Sequence, residues 1–452
     1  MDRKDHLLML WRKASVFIAG LLVGALLFVA PARADLDGYI KKPEDDFAWK
    51  LLGKRAQPEG VIYDLQLVSQ NWQGIVWKHE LQVYQPAAKP PTATMFLWVT
   101  GGSANPMSSF LGLEMARRMK IPVAFLYNIP NQPLLEGGLR EDDLVAETFV
   151  RYLNTKDENW PLLFPMVKSV VKAMDALQAF TQSEWKEPAQ KFIVSGASKR
   201  GWTSWLTAAA DPRVKAIAPL AIDTLNLRAQ LPRQLEAFGV YSEMIAPYTK
   251  RALVPMPETP EALRLWSMVD PWAYRARLTL PKFIVNGSSD PYWTTDALNV
   301  YWDDLEGDKW VLYVPNAPHN LRQQDKSGPE QFARVLNGLA AFVRHQANGQ
   351  PMPALRWKHD DANGKLRLTI EATPPPLGAR LWTAQAATRD FRQAMWTEQS
   401  TTIDHNRVVG ELTVPTGGYR AFFGELDYDV EGLKYHLSTQ VRVAKSADTK
   451  PD

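Results

Sequence analysis

The sequence predicts an α/β protein, with a mostly parallel sheet covered by helices on both faces and a smaller all-β region after it. Three observations carry this. From Met95 onward, short apolar segments alternate with helical stretches, the pattern of strand–helix–strand units. One of those segments, Phe192-Ile193-Val194-Ser195, runs straight through a small-residue turn into a helical stretch. Beyond residue 348 helical periodicity stops, and short alternating runs separated by Pro and Gly replace it.

In chain order, Arg3, Lys4, Arg12 and Lys13 precede an apolar run from Ala14 to Ala30, and Ala32-Arg33-Ala34 follows it. This layout predicts a secretory leader over residues 1–34, cleaved after Ala34, with an uncleaved anchor as the alternative. The chain has no cysteine, which excludes disulfides, lipoprotein attachment and thiolate metal sites, and suits a periplasmic or secreted protein of a Gram-negative bacterium. Alternating runs over 60–70 and 74–85 predict a hairpin that leads into the sheet. The parallel strands are expected at Met95–Val99, Val123–Tyr127, Phe192–Ser195, Val214–Ala221, Phe283–Asn286 and Trp310–Val314, with helices including Asp143–Asn154 and Phe164–Gln182. A helical, Pro-broken stretch at 226–279 predicts a cap, in which Trp266, Trp272 and Tyr274 either line a pocket or fill the cap's own core. Helix Glu330–Ala347 closes the first unit. The punctuation Asn348-Gly349-Gln350-Pro351-Met352-Pro353 leads into a predicted immunoglobulin-like β-sandwich over 349–445, and a disordered tail is expected at 446–452.

Composition narrows the function. Five of the 52 basic and two of the 49 acidic residues lie in the first 34 positions, leaving 47 of each in the mature chain. A balanced surface argues against nucleic acid or an anionic membrane as partner. The sequence holds no Gly-rich phosphate loop, dinucleotide fingerprint or H-E-x-x-H, so the expected chemistry uses no cofactor and no metal.

The chemistry-bearing segment is Gly196-Ala197-Ser198-Lys199-Arg200-Gly201. A serine between small residues at a strand-to-helix turn is the layout of a nucleophile elbow, here with its second glycine at +3 and Arg200 in the usual glycine position. A nucleophilic serine needs a base and a carboxylate to orient that base. Asp290 follows the strand ending at Asn286, and His319 follows the strand ending at Val314. The order Ser198, Asp290, His319 is that of α/β-hydrolases, so residues 35–348 are predicted to adopt that fold. Asp223, after the intervening strand, is the alternative acid, with Asp296 a third. The oxyanion hole is expected from the N–H of Lys199 and from the Gly101-Gly102-Ser103 turn, with Gly102 and Ser103 as candidates. The Lys199 and Arg200 side chains read as solvated helix residues; the other reading has them favour an anionic substrate or support the oxyanion.

These segments resemble the PhoPQ-activated pathogenicity-related family, which includes secreted proliferation-repressing proteins of social amoebae. The resemblance rests on Gly196 to Thr203, Asp223-Thr224-Leu225-Asn226, Val269-Asp270-Pro271, Asn131-Gln132-Pro133-Leu134, Arg140-Glu141-Asp142-Asp143 and the run from Val314 to His319. It implies an exported α/β-hydrolase-like protein linked to virulence and antimicrobial-peptide resistance, and supplies no substrate. Over a few residues the elbow is also similar to glucuronoyl esterases. The function expected is hydrolysis of an ester, or less readily an amide, in a small-molecule, glycan or peptide substrate. A catalytically weak binding or signalling protein on the same scaffold is the alternative. Oligomeric state is left open.

Overall fold

The computed structural model describes residues 35–88, 93–362 and 364–446. The predicted leader (1–34) and residues 447–452 of the predicted tail lie outside the described residues. Helix α1 (Leu36–Lys41) precedes three antiparallel strands, β1 (Ala48–Gln57), β2 (Gly60–Trp72) and β3 (Ile75–Pro86). Strand–helix alternation then begins with β4 (Thr94–Val99), α2 (Pro106–Met119), β5 (Val123–Leu126), α3 (Glu141–Thr155) and α4 (Leu163–Trp185). It continues through β6 (Lys191–Ala197), α5 (Lys199–Ala210) and β7 (Val214–Leu220). Helices α6 (Leu227–Phe238), α7 (Ala246–Thr249) and α8 (Pro260–Val269) occupy the stretch before β8 (Lys282–Gly287), β9 (Lys309–Val314) and α9 (Ala333–Asn348). No described helix is long and apolar enough to cross a membrane.

Strands β5-β4-β6-β7-β8-β9 are parallel neighbours, and β1-β2-β3 extend that sheet antiparallel on the β5 side. The parallel strands are apolar and buried almost throughout because helices cover both faces. Register brings their C-terminal ends level: Val99 pairs with Gly196, Ala197 with Leu220, and Gly287 with Val314. The loops carrying Gly102, Ser198, Asp223, Asp290 and His319 therefore all leave one edge of the sheet, where α/β folds collect ligands. The arrangement is α/β-hydrolase-like.

The C-terminal strands are shared between a separate sheet and the main one. Strands β10 (Ala354–Ala362), β11 (Lys365–Thr373), β15 (Arg407–Thr413) and β14 (Thr402–Asp404) form a separate antiparallel sheet in the order β10-β11-β15-β14. The others, β12 (Gly378–Ala386), β13 (Thr397–Ser400), β16 (Tyr419–Val430), β17 (Leu433–Ser438) and β18 (Arg442–Lys445), continue the main sheet beyond β9. The seam is a single antiparallel pairing, Ser438 with Val311, helped by Tyr313 N–H donating to Ser438 Oγ at 3.0 Å. The physical reason is that β9 would otherwise be an open edge of the parallel sheet. The tail's expected first residue, Ser446, is ordered by its N–H bonding Gly418 at 3.0 Å.

A buried ion-pair joint holds the seam. Glu425 of β16 is fully buried and accepts from Arg334 in the first turn of α9 and from Arg380 of β12 (2.5 Å). Asp427, its neighbour on the strand, takes Arg380 and His436. Carboxylates so claimed by arginines form a structural joint. Glu425→Ala strands two partly buried guanidinium groups and is expected to cost about 3–5 kcal/mol, read as a lower urea midpoint.

Candidate active site

Strand β6 ends at Ala197, and Ser198 turns the chain into α5 with φ +58° and ψ −129°. That conformation is costly for a residue with a Cβ, on the order of 1–3 kcal/mol, so its surroundings must hold it. Ser198 N–H donates to Leu220 O at 2.8 Å, and its carbonyl accepts Trp202 N–H at 3.0 Å. Two glycines make room. A Cβ on Gly196 would lie 2.8 Å from the Arg200 backbone, and one on Gly201 would lie 2.6 Å from Ile222 and 2.9 Å from Gly196 O. The +3 glycine thus serves the close approach of α5 to the sheet.

The departure from the usual elbow spacing has a visible cause. Arg200 is buried, donates from Nε to Ile129 O (2.6 Å) and forks onto both oxygens of Glu141 (2.7 Å each). Lys199 Nζ reaches Glu141 at 2.6 Å and Asp142 at 3.5 Å. Neither side chain is solvated, and neither is free for an anionic substrate. Burial alone would raise the Glu141 carboxyl, but Arg200 and then Lys199 hold it well below the usual carboxylate range. Glu141 itself has φ +53° and is clamped by Gln132, whose Oε1 accepts Glu141 N–H at 2.8 Å and whose Nε2 donates to Glu141 Oε1 at 2.5 Å. Gly101 serves the same network: a Cβ there would lie 1.8 Å from Arg200 Nη2.

The other two residues meet the serine. His319 Nε2 lies 2.9 Å from Ser198 Oγ, and His319 Nδ1 lies 2.8 Å from Asp290 Oδ2. A carboxylate facing Nδ1 fixes the tautomer with the proton there, leaving Nε2 to accept the serine hydroxyl. The two loops are tied together. Asn316 N–H donates to Ser288 Oγ (2.8 Å), Ser289 N–H donates to Ala317 O (3.1 Å), and a Cβ on Gly287 would strike Ala317 O at 2.3 Å. Asn316 also exchanges bonds with the Trp396 backbone (2.8 and 2.9 Å), so the C-terminal region pins the histidine loop.

Asp223 does not reach the histidine. It is buried, with its oxygens taken by Tyr301 OH (2.5 Å) and Asn286 Nδ2 (2.8 Å). Burial, with the Asp290 charge adding to it, pushes its carboxyl up to about 7 against those hydrogen bonds. Asp296 is held by Arg233 and Arg389. Lys199 is the first residue of α5, so its N–H has no acceptor within the helix, and the residue lines the cavity beside Ser198. Gly102 and Ser103 do not line that cavity; the Gly102 carbonyl accepts Asn128 N–H at 2.9 Å.

The cavity is walled by Trp202, Ile222, Leu227, Leu231, Trp266 and Trp293, with Asp142, Tyr248 and Tyr292 at its polar side. Of the three cap aromatics considered from sequence, Trp266 lines it, while Trp272 and Tyr274 do not. Sequence reasoning missed Tyr292. Its N–H donates to Asp290 Oδ1 (2.8 Å), its ring lies over the His319 imidazole with centroids 4.1 Å apart, and its hydroxyl donates to Asp142 (3.3 Å). Its position two residues after Asp290, across Pro291, was the available signal.

The family model described as PhoPQ-activated pathogenicity-related protein matches residues 36–392. The autocrine proliferation repressor protein A of Dictyostelium discoideum is 32% identical over 431 residues, covering 87% of this chain and 85% of that protein. Among solved structures, an acetyl xylan esterase from Paenibacillus sp. R4 is 14% identical with a TM-score of 0.48, covering 68% of this chain and 90% of its own. A glucuronoyl esterase from Solibacter usitatus is 12% identical with a TM-score of 0.42, covering 68% and 87% respectively.

The raised Asp223 carboxyl has a consequence for stability. The native state holds a proton there that the unfolded chain releases near pH ~4, so this group's contribution is full below that and is lost as pH rises to about 7. Asp223→Asn is expected to flatten the fall in melting temperature across that window.

Proposed function

The chain belongs to the PhoPQ-activated pathogenicity-related protein family, and from that premise we propose that it is an exported serine hydrolase cleaving an ester or, less readily, an amide. The observation that carries the proposal is the continuous Ser198–His319–Asp290 relay, at 2.9 and 2.8 Å, with the serine on a strained turn. Ser198 Oγ attacks the substrate carbonyl carbon while its proton passes to His319 Nε2. Asp290 holds the Nδ1 proton and stabilises the imidazolium. The oxyanion takes the Lys199 N–H. Collapse breaks the bond to the leaving group, which receives the Nε2 proton; water then repeats the sequence on the acyl-enzyme.

Export rests on the leader pattern of residues 1–34, and a periplasmic role in virulence or antimicrobial-peptide resistance rests on family resemblance. A second reading, a hydrolase scaffold used in signalling or binding, draws its support from the relative named as a proliferation repressor. We further propose that the C-terminal strands are an immunoglobulin-like sandwich grafted on the sheet. With β13 and β14 counted as one interrupted fourth strand, they pair as first-second-fifth-fourth in one sheet against third-sixth-seventh in the other, the eighth lying beside the sixth, a pattern akin to ABED against CFG.

A fluorophosphonate is expected to label the mature chain and to fail on Ser198→Ala and His319→Ala. Asp290→Asn is expected to lower kcat/KM on a responsive ester by about 10³–10⁴, while Asp223→Asn stays within about tenfold of the parent. A well-folded parent that takes no label contradicts the hydrolase reading and favours the binding protein.

A further inference from the structure

The cavity beside Ser198 has a volume of about 60 Å³ and shares its mouth with His319 and Lys199. Its walls are built, since Trp202, Leu227, Leu231, Val254, Trp266 and Trp293 line it and none is more than 9% exposed. Beside an apolar cavity of ~150 Å³ that takes the six carbons of benzene, it has room for on the order of two heavy atoms beyond a carbonyl bound at the serine. We infer that this cavity binds the acyl part of the substrate and that the acyl group is short and uncharged, of about two to four carbons. The inference rests on the hydrolase reading above and narrows it to a substrate class.

Geometry distinguishes the acyl side from the alcohol side. In acyl transfer the leaving group must diffuse away before water enters, whereas the acyl group stays bonded to Ser198. A pocket of buried walls suits the part that stays. A peptide acyl group continues into further residues, and a space of this size ends after a few atoms.

Charge balance makes the same pocket unsuited to an ionised group. The carboxylate that lines it, Asp142, and its neighbour Glu141 are already met by Lys199 and Arg200. Asp142 is further occupied by the hydroxyls of Tyr248 (3.2 Å) and Tyr292 (3.3 Å). No surplus charge remains to offset a buried ammonium or carboxylate on the substrate. The polar atoms left without a protein partner on the lining residues are neutral: Thr224 Oγ1, Trp266 Nε1 and Trp293 Nε1. They offer hydrogen bonds to a water or an acyl oxygen and add no charge.

The test is kcat/KM of the full mature chain on p-nitrophenyl acetate, butyrate, octanoate and laurate, in a preparation first checked for fluorophosphonate labelling. The expected result is a fall of at least about tenfold from butyrate to octanoate. Leu231→Ala, which removes one wall, is expected to raise the octanoate-to-butyrate ratio by about tenfold. If that variant does not fold, the parent series decides. Labelled parent that hydrolyses octanoate or laurate as well as butyrate, or that hydrolyses none of the four, overturns the short-acyl assignment alone. So does a folded Leu231→Ala with an unchanged ratio. A parent that takes no label overturns the hydrolase reading, and this inference with it.

Discussion

The fork between Arg200 and Glu141 is the interaction on which the site's architecture turns. Ser198 and Glu141 both sit at positive φ without being glycine, and each such residue persists only where its neighbours over-determine it. Here the neighbours determine one another. Arg200, two residues after the serine, grips Glu141 with two hydrogen bonds, and Lys199 adds a third. The elbow is thereby fastened to the N-terminal turn of α3, and Gln132 fastens Glu141 to the loop after β5. A planar, bidentate guanidinium suits this work in a way that an ammonium does not.

From that anchor the order spreads to the histidine by way of Asp142. Its carboxylate holds the Tyr292 hydroxyl, while the Tyr292 backbone holds Asp290 and its ring covers His319. From the other side, the Asn316–Trp396 exchange ties the histidine loop to the C-terminal strands. The C-terminal region is therefore part of the scaffold of the site. Its continuity with β9 and the Glu425 joint make that support rigid.

Much of this was legible in the sequence because the signals are local. Every parallel strand lies within a residue or two of its predicted range, since buried strands read as apolar runs whatever their neighbours. The Ser198, Asp290 and His319 positions were legible from their places at strand ends. What was not legible depends on long-range pairing. Exposed β1 and the short β13 and β14 have weak apolar patterns, and the docking of β17 on β9 rests on a single pairing far apart in sequence. The roles of Lys199 and Arg200 were misread for the same reason: their partners lie in α3, and charged residues after an elbow read as solvated until a carboxylate is placed against them.

The most direct measurement is a crystal structure of residues 35–452 after reaction with a short-chain phosphonate ester. The account predicts a phosphorus bonded to Ser198 Oγ, one phosphonyl oxygen facing the Lys199 N–H, and His319 still between Ser198 and Asp290. A phosphorus bonded elsewhere, or unmodified Ser198 in crystals soaked to saturation, would contradict it.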